Sequence, residues 1–335
     1  MFTTFSSLAA LAAAANAPAP QIAPALPPVA ETAAEAVSPA AAEPLFPAVA
    51  PLDPAQASAL GEDGAIFPRI DVLEGGKLPL TNGVTTVEGS SGGGLARWAT
   101  IGGRQMAGGT GLSAHVTGIE LPDFGWRSYG VMAGFGDRLE LSFARADFDT
   151  RDAGAALGIG RGYTFNLETF GAKVRLAGDL VYGETWLPQI AVGIEHKRSR
   201  DGALVRAIGA KDSAGTDFTL SATKLFLARS LLVNATLRYT EANELGLLGF
   251  GSAIHGYKLQ FEGSLGYQLS RRAVIGTELR TKADNLGLGN DDWMDVYVAY
   301  ALTGNLTLTA AYVDLGSIAT FSDQRGAFLS AQVAF

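Results

Sequence analysis

The sequence predicts an all-β fold, namely an antiparallel up-and-down transmembrane β-barrel of about 12 strands with an N-terminal segment inside its lumen. Three observations carry this prediction. Apolar and polar residues alternate from Gly111 to Phe335, the breaks between alternating segments are by turns short and long, and no apolar run of about 18 residues follows the N-terminus. Alternation makes one face of a sheet apolar and the other polar.

The clearest alternation lies between His255 and Lys282. One row of this segment is continuously apolar, and the other is too charged for a protein core. A membrane barrel accommodates both rows, because lipid contacts the outer face while the lumen is polar. The apolar row contains Tyr257, Leu259, Phe261, Leu265, Tyr267, Leu269, Ile275 and Leu279; the polar row contains Lys258, Gln260, Glu262, Gln268, Glu278, Arg280 and Lys282.

Composition excludes several classes of protein. The chain has 335 residues, no Cys and a net charge of −8, and residues 1–68 carry six acidic residues and no basic one. Disulfides and zinc–thiolate sites are therefore excluded. Because the remainder of the chain is nearly neutral and has no basic patch, we expect no nucleic-acid partner.

The N-terminal 68 residues resemble an exported leader followed by a spacer. Leu8 to Ala15 is a short apolar run, and Ala15-Asn16-Ala17 is an A-x-A cleavage pattern. This favours a signal peptide over residues 1–17, although the run lacks a preceding Lys or Arg; an Ala-rich disordered tail is the alternative. Residues 18–68 are rich in Ala and Pro and predict a disordered linker.

Residues 69–110 predict a lumenal or plug-like segment. The stretch is rich in Gly, and no Gly-Lys-Ser/Thr sequence closes it, so it does not match a phosphate-binding loop. Residues 83–88 and 95–103 each have the pattern of a short strand.

The barrel is assigned to residues 111–335. Tight turns alternate with long loops, as in outer-membrane barrels, and the tight turns are periplasmic there. Twelve strands bring both chain ends to the periplasmic side. Pairing 83–88 with 95–103 would give the alternative of 14. The strands are predicted at 111–120, 127–136, 138–148, 163–177, 180–196, 216–228, 230–241, 255–269, 273–283, 292–303, 305–315 and 325–335.

Two strands depart from simple alternation, and one turn sets a register. A change of phase before Glu168 predicts a β-bulge. Lys224 falls on an apolar row, which predicts a position near a membrane interface or at a bulge. A three-residue turn at 270–272 would place Leu269 opposite Ala273 and Glu262 opposite Arg280.

A mixed set of acids and bases is predicted to line the lumen. Alternating signs either neutralise one another as structural pairs or leave a weakly selective channel. The predicted lumen-lining residues are Glu140, Lys173, Arg175, Glu195, Arg238, Lys258, Glu262, Glu278, Arg280, Lys282 and Asp295.

Catalytic and metal sites find little support in the sequence. Ser113 and His115 share a strand face, but no third residue that would orient the histidine is evident. The acidic loop from Asp284 to Asp292 does not match an EF-hand. We therefore expect no catalytic residues, no cofactor and no metal.

Two resemblances follow from particular stretches. The C-terminal strand Phe328–Phe335 looks like the end of bacterial outer-membrane proteins, which implies that Leu329, Ala331, Val333 and Phe335 form the signal read by the barrel assembly machinery. The stretches that begin at Glu74, Val87, Arg127 and Phe135 resemble an uncharacterised proteobacterial family of outer-membrane barrels, catalogued as a domain of unknown function. This resemblance implies the bacterial outer membrane as location and its lipid bilayer as partner, and names no substrate.

Three functions remain open on this basis. The favoured one is a monomeric channel or transporter for small solutes, whose Gly-rich segment gates a charged lumen. The second is a closed structural or adhesive barrel that acts through its long loops. The third is a lipid-modifying enzyme that uses Ser113 and His115.

Overall fold

The computed structural model describes residues 76–77, 79–182 and 186–335. The predicted signal peptide at 1–17, the linker at 18–68 and the first residues of the segment at 69–110 lie outside the described residues.

Twelve antiparallel strands form one closed barrel. Each strand pairs with its neighbours in the chain, and the last strand pairs with the first to close the ring. The barrel therefore has 12 strands and not 14. Its strands are β3 (Thr110–Glu120), β4 (Gly125–Phe135), β5 (Leu139–Asp149), β6 (Thr164–Ala177), β7 (Gln189–Ser199), β8 (Ala214–Phe226), β9 (Leu231–Thr240), β10 (Lys258–Ser270), β11 (Ala273–Arg280), β12 (Trp293–Ala301), β13 (Leu306–Asp314) and β14 (Arg325–Ala334), and they follow the lumenal strands β1 (Val84–Thr85) and β2 (Ser91–Gly92).

Connections of different length mark the two ends of the barrel. One end holds the start of β3, the C-terminal Phe335 and mostly tight turns, and it is the periplasmic end. The turn between β4 and β5 is of the type favoured in two-residue hairpins, because Gly136 and Asp137 both have positive φ angles, of 56° and 51°. Longer loops at the extracellular end carry the helices α1 (Ala153–Ala156) and α2 (Gly202–Ala207).

Two predictions for the connection between β6 and β7, at the periplasmic end, are wrong. The tight turn predicted at Gly178 is absent, and β7 begins at Gln189 instead of residue 180. The register between β6 and β7 shifts between Arg175 and Ala177, so the chain leaves the sheet through a longer connection. At the β10–β11 turn a register shift pairs Ala273 with Ser270 instead of Leu269, whereas Glu262 lies opposite Arg280 as predicted.

A broad apolar band surrounds the barrel. Its side chains point outward and are exposed, as lipid contact requires. Lys224 lies on the outward row of β8, two residues before its end, but it is buried, and its Nζ donates to the carbonyl of Asp179 at 3.0 Å. The chain is thus an outer-membrane β-barrel. Among the described residues, no helix has the length and apolarity needed to cross a bilayer. The band includes Leu112, Val116, Tyr129, Val131, Leu141, Phe170, Val174, Leu220, Leu265, Val296 and Leu329.

Toward the extracellular end, every second side chain of a strand still points inward, but the inward side chains there are apolar and the outward ones are polar. In β6, Phe165 and Leu167 point inward and are buried, while Glu168 is on the same outward row as Phe170. The bulge predicted before Glu168 is therefore wrong, because the outward row simply leaves the lipid there. Inward side chains at this level form an apolar core that includes Ile119, Trp126, Phe148, Val313 and Phe328.

Candidate functional site in the lumen

The lumen is occupied by the protein's own chain. Residues 81–103 are almost entirely buried within the barrel, around the short β1–β2 hairpin. This stretch contains two charged residues, Glu88 and Arg97, which are 2% and 1% exposed. We call residues 79–105 the lumenal segment.

Arg97 is the main link between the lumenal segment and the barrel wall. Its guanidinium pairs with Glu88 of its own segment at 2.7 Å and with Glu195 of β7. A longer pair reaches Glu262 of β10 at 3.5 Å, and the backbone N–H of Arg97 donates to the same carboxylate at 2.8 Å. Buried charges are tolerated only when they are paired in this way.

Glu88 joins the same network from the other side of the segment. Its carboxylate pairs with Lys197 of β7 and, at 2.6 Å, with Arg280 of β11. Lys197 also contacts Asp217 of β8 at 2.5 Å. Arg238 of β9 completes the network, 3.0 Å from Glu262 and 3.7 Å from Asp217. The network thus contains four acids and four bases, and its formal charges balance.

Wall side chains also bind the backbone of the lumenal segment. The Glu278 carboxylate accepts hydrogen bonds from the N–H groups of Leu95 and Ala96, at 2.8 and 3.3 Å. This carboxylate leaves no room for a Cβ at position 93, which explains the glycine there. On the opposite side, Lys173 donates to the carbonyls of Ser91 and Thr100, each at 2.9 Å.

Most of the predicted lumen-lining residues point inward and are buried. Glu140 accepts from Ser90 and from the N–H of Gly102, and Asp295 accepts from the N–H of Glu278. Arg175 is at the periplasmic end, where it pairs with Asp137 at 2.8 Å. Lys258, at the extracellular end, donates to the carbonyl of Asp284 at 3.3 Å. Glu195, Arg238, Glu262, Glu278 and Arg280 belong to the contacts described above.

Lys282 lies just beyond β11, in an extracellular loop. Its ammonium is 3.1 Å from the Glu244 carboxylate and 5.1 Å from the centre of the Trp293 ring. Burial raises the pKa of Glu244, and the nearby Lys282 ammonium partly opposes that rise. This pair holds two extracellular loops together.

Sequence reasoning did not single out Glu88, Arg97, Lys197 or Asp217. A signal for the first two exists, because they are isolated opposite charges in an otherwise uncharged, Gly-rich stretch. Lys197 falls in a predicted long loop, because β7 extends farther toward the extracellular end than predicted, whereas Asp217 lies in a predicted strand, near its first residue.

Neither the candidate catalytic pair nor the acidic groups form a site with reactive geometry. Among the described residues, the side chains of Ser113 and His115 have no hydrogen-bond partner, so they do not bond each other. Carboxylate oxygens of Glu88, Glu195 and Asp217 lie within 4.8 Å of one another. Arg97, Lys197 and Arg280 already pair with these three groups.

The residues of the predicted assembly signal form one row. Leu329, Val333 and Phe335 are 64%, 37% and 39% exposed on the outside of the barrel, and Ala331 lies between them. They flank the seam at which β14 pairs with β3.

Several solved structures are similar to this chain at low sequence identity. The KdgM porin is similar at 11% identity and a TM-score of 0.42, over 67% of this chain and 99% of that chain. The NanC porin has 10% identity and a TM-score of 0.42, over 67% and 98%. Outer membrane phospholipase A from Escherichia coli has 9% identity and a TM-score of 0.35, over 69% and 97%. At these scores the structures carry no argument about function.

No curated protein matches the chain. A family model described as "Protein of unknown function (DUF3034)" matches residues 81–332, which span both the lumenal segment and the barrel. The chain belongs to this family of outer-membrane β-barrels.

Proposed function

We propose that the protein is a gated channel or transporter for small solutes, in which the lumenal segment is the gate. The observation that supports this most directly is the nature of the contact between the segment and the wall. Ion pairs and hydrogen bonds with Arg97 at their centre make up its polar part, beside apolar contacts of Leu95 and Trp98.

A charged contact of this kind suits a segment that moves. Buried ion pairs are weak evidence for stability, because apolar replacements are often neutral or stabilising by about 1–4 kcal/mol. Charged groups can, however, exchange one another for water when the segment withdraws. Withdrawal from an apolar surface would, in contrast, expose hydrophobic area to water at a free-energy cost of about 25 cal/mol per Å².

The proposal assigns the chain no catalytic role and no cofactor. The second candidate is a closed structural or adhesive barrel, which is supported by the extent to which the lumenal segment fills the interior and by the long extracellular loops. The two candidates differ in whether the segment ever leaves its place.

Conductance across planar bilayers, measured on purified and refolded protein, tests the proposal. We expect rare openings in the wild type and frequent openings in Arg97→Ala. That substitution removes one partner from buried ion pairs, which weakens docking of the segment by about 3–5 kcal/mol. Arg325→Ala is the matched control, because Arg325 pairs with Asp314 at the exposed extracellular rim.

A reversible lock provides a second measurement on a folded barrel. A side chain at position 102 would meet Met132 of β4, and the chain contains no native Cys. A Gly102→Cys, Met132→Cys variant, bridged by a short cleavable thiol crosslinker, is expected to stay closed until a reductant is added. Each single-Cys variant, treated identically, is the control. The closed-barrel function is favoured instead if neither wild type nor Arg97→Ala conducts, or if the bridge leaves conductance unchanged.

A further inference from the structure

Residues 83–102 of the lumenal segment hydrogen-bond one part of the wall and pack against another, while the N–H of Arg104 fastens the end of the segment to the carbonyl of Phe335 at 3.0 Å. Strands β5 to β11 hold residues 83–102 through the charged network and through hydrogen bonds to their backbone. The carbonyl of Arg97 alone accepts from Asn234 at 2.9 Å and from Thr236 at 2.7 Å. The carbonyl of Ala99 accepts from Gln189 at 2.6 Å.

Strands β14, β3 and β4 offer polar side chains that the segment does not use. Ser113 and His115 of β3, Ser128 of β4 and Gln332 of β14 are at most 6% exposed. No side-chain nitrogen or oxygen of these four residues has a hydrogen-bond partner in the part of the chain that the structure describes. We call these four residues the polar strip.

The polar strip is continuous along the barrel wall. Gln332 lies directly opposite His115 across the seam, and Ser113 is two residues closer to the periplasm. Ser128 lies opposite Thr117, two residues farther toward the extracellular side. At about 3.3 Å per residue, the strip extends over roughly 13 Å of the lumen. It contains no formally charged side chain apart from the titratable His115.

Contacts between the segment and this side of the barrel are made through glycine. Gly102 packs against Met132 of β4 so closely that a Cβ would not fit, and a Cβ at Gly94 would lie 3.5 Å from the Phe328 ring of β14. Such contacts provide van der Waals attraction without hydrogen bonds. Buried polar groups normally have partners, and a group left without one is a disfavoured arrangement that water or a ligand would relieve.

We infer that the gate opens on this side: the lumenal segment withdraws from β14, β3 and β4, remains attached to β5–β11, and exposes the polar strip as the path for small neutral polar solutes. The inference rests on the proposed channel function and specifies its route and solute class. Hydroxyl, amide and imidazole groups can replace the hydration of a neutral polar solute, whereas a charged solute would receive no opposite charge from the strip.

Single cysteines on the two parts of the wall test the route. Ser113→Cys and Ser128→Cys place a thiol on the strip, and Ser221→Cys of β8 is the matched control, because Ser221 is equally buried and bonds Thr236 at 2.8 Å. Each variant in lipid vesicles is treated with a small water-soluble methanethiosulfonate, and the modified fraction is read by mass spectrometry. We expect the strip thiols to react about tenfold faster, since their side opens first.

Liposome swelling tests the solute class. Neutral sugars are expected to enter faster than gluconate or lysine of similar size, and modification of Ser128→Cys is expected to abolish sugar entry. Equal or faster reaction at position 221, or faster entry of the charged solutes, would overturn the inference even if the protein conducts. Thiol modification is measured without any conductance, so failure of the channel function would be seen separately, as absent swelling in the wild type.

Discussion

The membrane zone and the extracellular zone of this barrel use the same strands in opposite ways. On β4, Val131 points into lipid, while Arg127, four residues along the same row, points into water. On β5, outward Phe143 lies in the membrane zone and inward Phe148 lies in the apolar core of the extracellular zone. The comparison teaches that side-chain alternation fixes only whether a side chain points into the barrel or out of it. The surrounding solvent decides whether that face is apolar.

The largest expected effect contrasts the two phenylalanines of β5. Phe148→Ala should lower the free energy of unfolding by about 3–5 kcal/mol, because it leaves a cavity in a packed core. Phe143→Ala should lower it by about 2 kcal/mol, since acyl chains fill the vacated space and only transfer free energy is lost. Urea unfolding in lipid vesicles measures both. Equal losses would mean that no closed apolar core exists at the extracellular end.

A smaller effect is expected from exchanging residues along one outward row of β4. Val131→Arg should destabilise the barrel by about 2–4 kcal/mol, as a lipid-facing arginine does near the bilayer midplane. The reverse exchange, Arg127→Val, should change stability by about 0.5 kcal/mol or less, because it is a surface substitution in water. The same unfolding assay applies. Comparable losses for the two variants would place the membrane boundary elsewhere.

The smallest effect concerns an ion pair at the extracellular rim. Arg200, with 56% of its side chain exposed, pairs with Glu168 on the outer face. Arg200→Ala should therefore change the free energy of unfolding by about 0–1 kcal/mol. A loss as large as that expected for Arg97→Ala would show that the outer face of this zone is not bathed in water.

Much of the barrel could be predicted because lipid imposes a simple rule on every second residue. The strand count and the Glu262–Arg280 register followed from that alternation together with the turns between its segments. Glu168 was misinterpreted because the rule reverses where the strand leaves the bilayer. The bulge near Arg175 was missed, since it depends on how the following turn packs. The eleven lumen-lining residues could be predicted because the alternation within a single strand indicates which side chains point inward. The roles of their partners Glu88 and Arg97 could not, because they depend on the path of a segment that has no periodicity.

The hydrogen bonds of Phe335 connect the barrel wall with the lumenal segment. Its carbonyl accepts from the N–H of Leu112 in β3 and from the N–H of Arg104 in the lumenal segment, each at 3.0 Å. Phe335 thus fastens the seam of the barrel to the part of the chain that precedes the first barrel strand. Closure of the ring and the placement of the segment inside it are therefore coupled through a single residue.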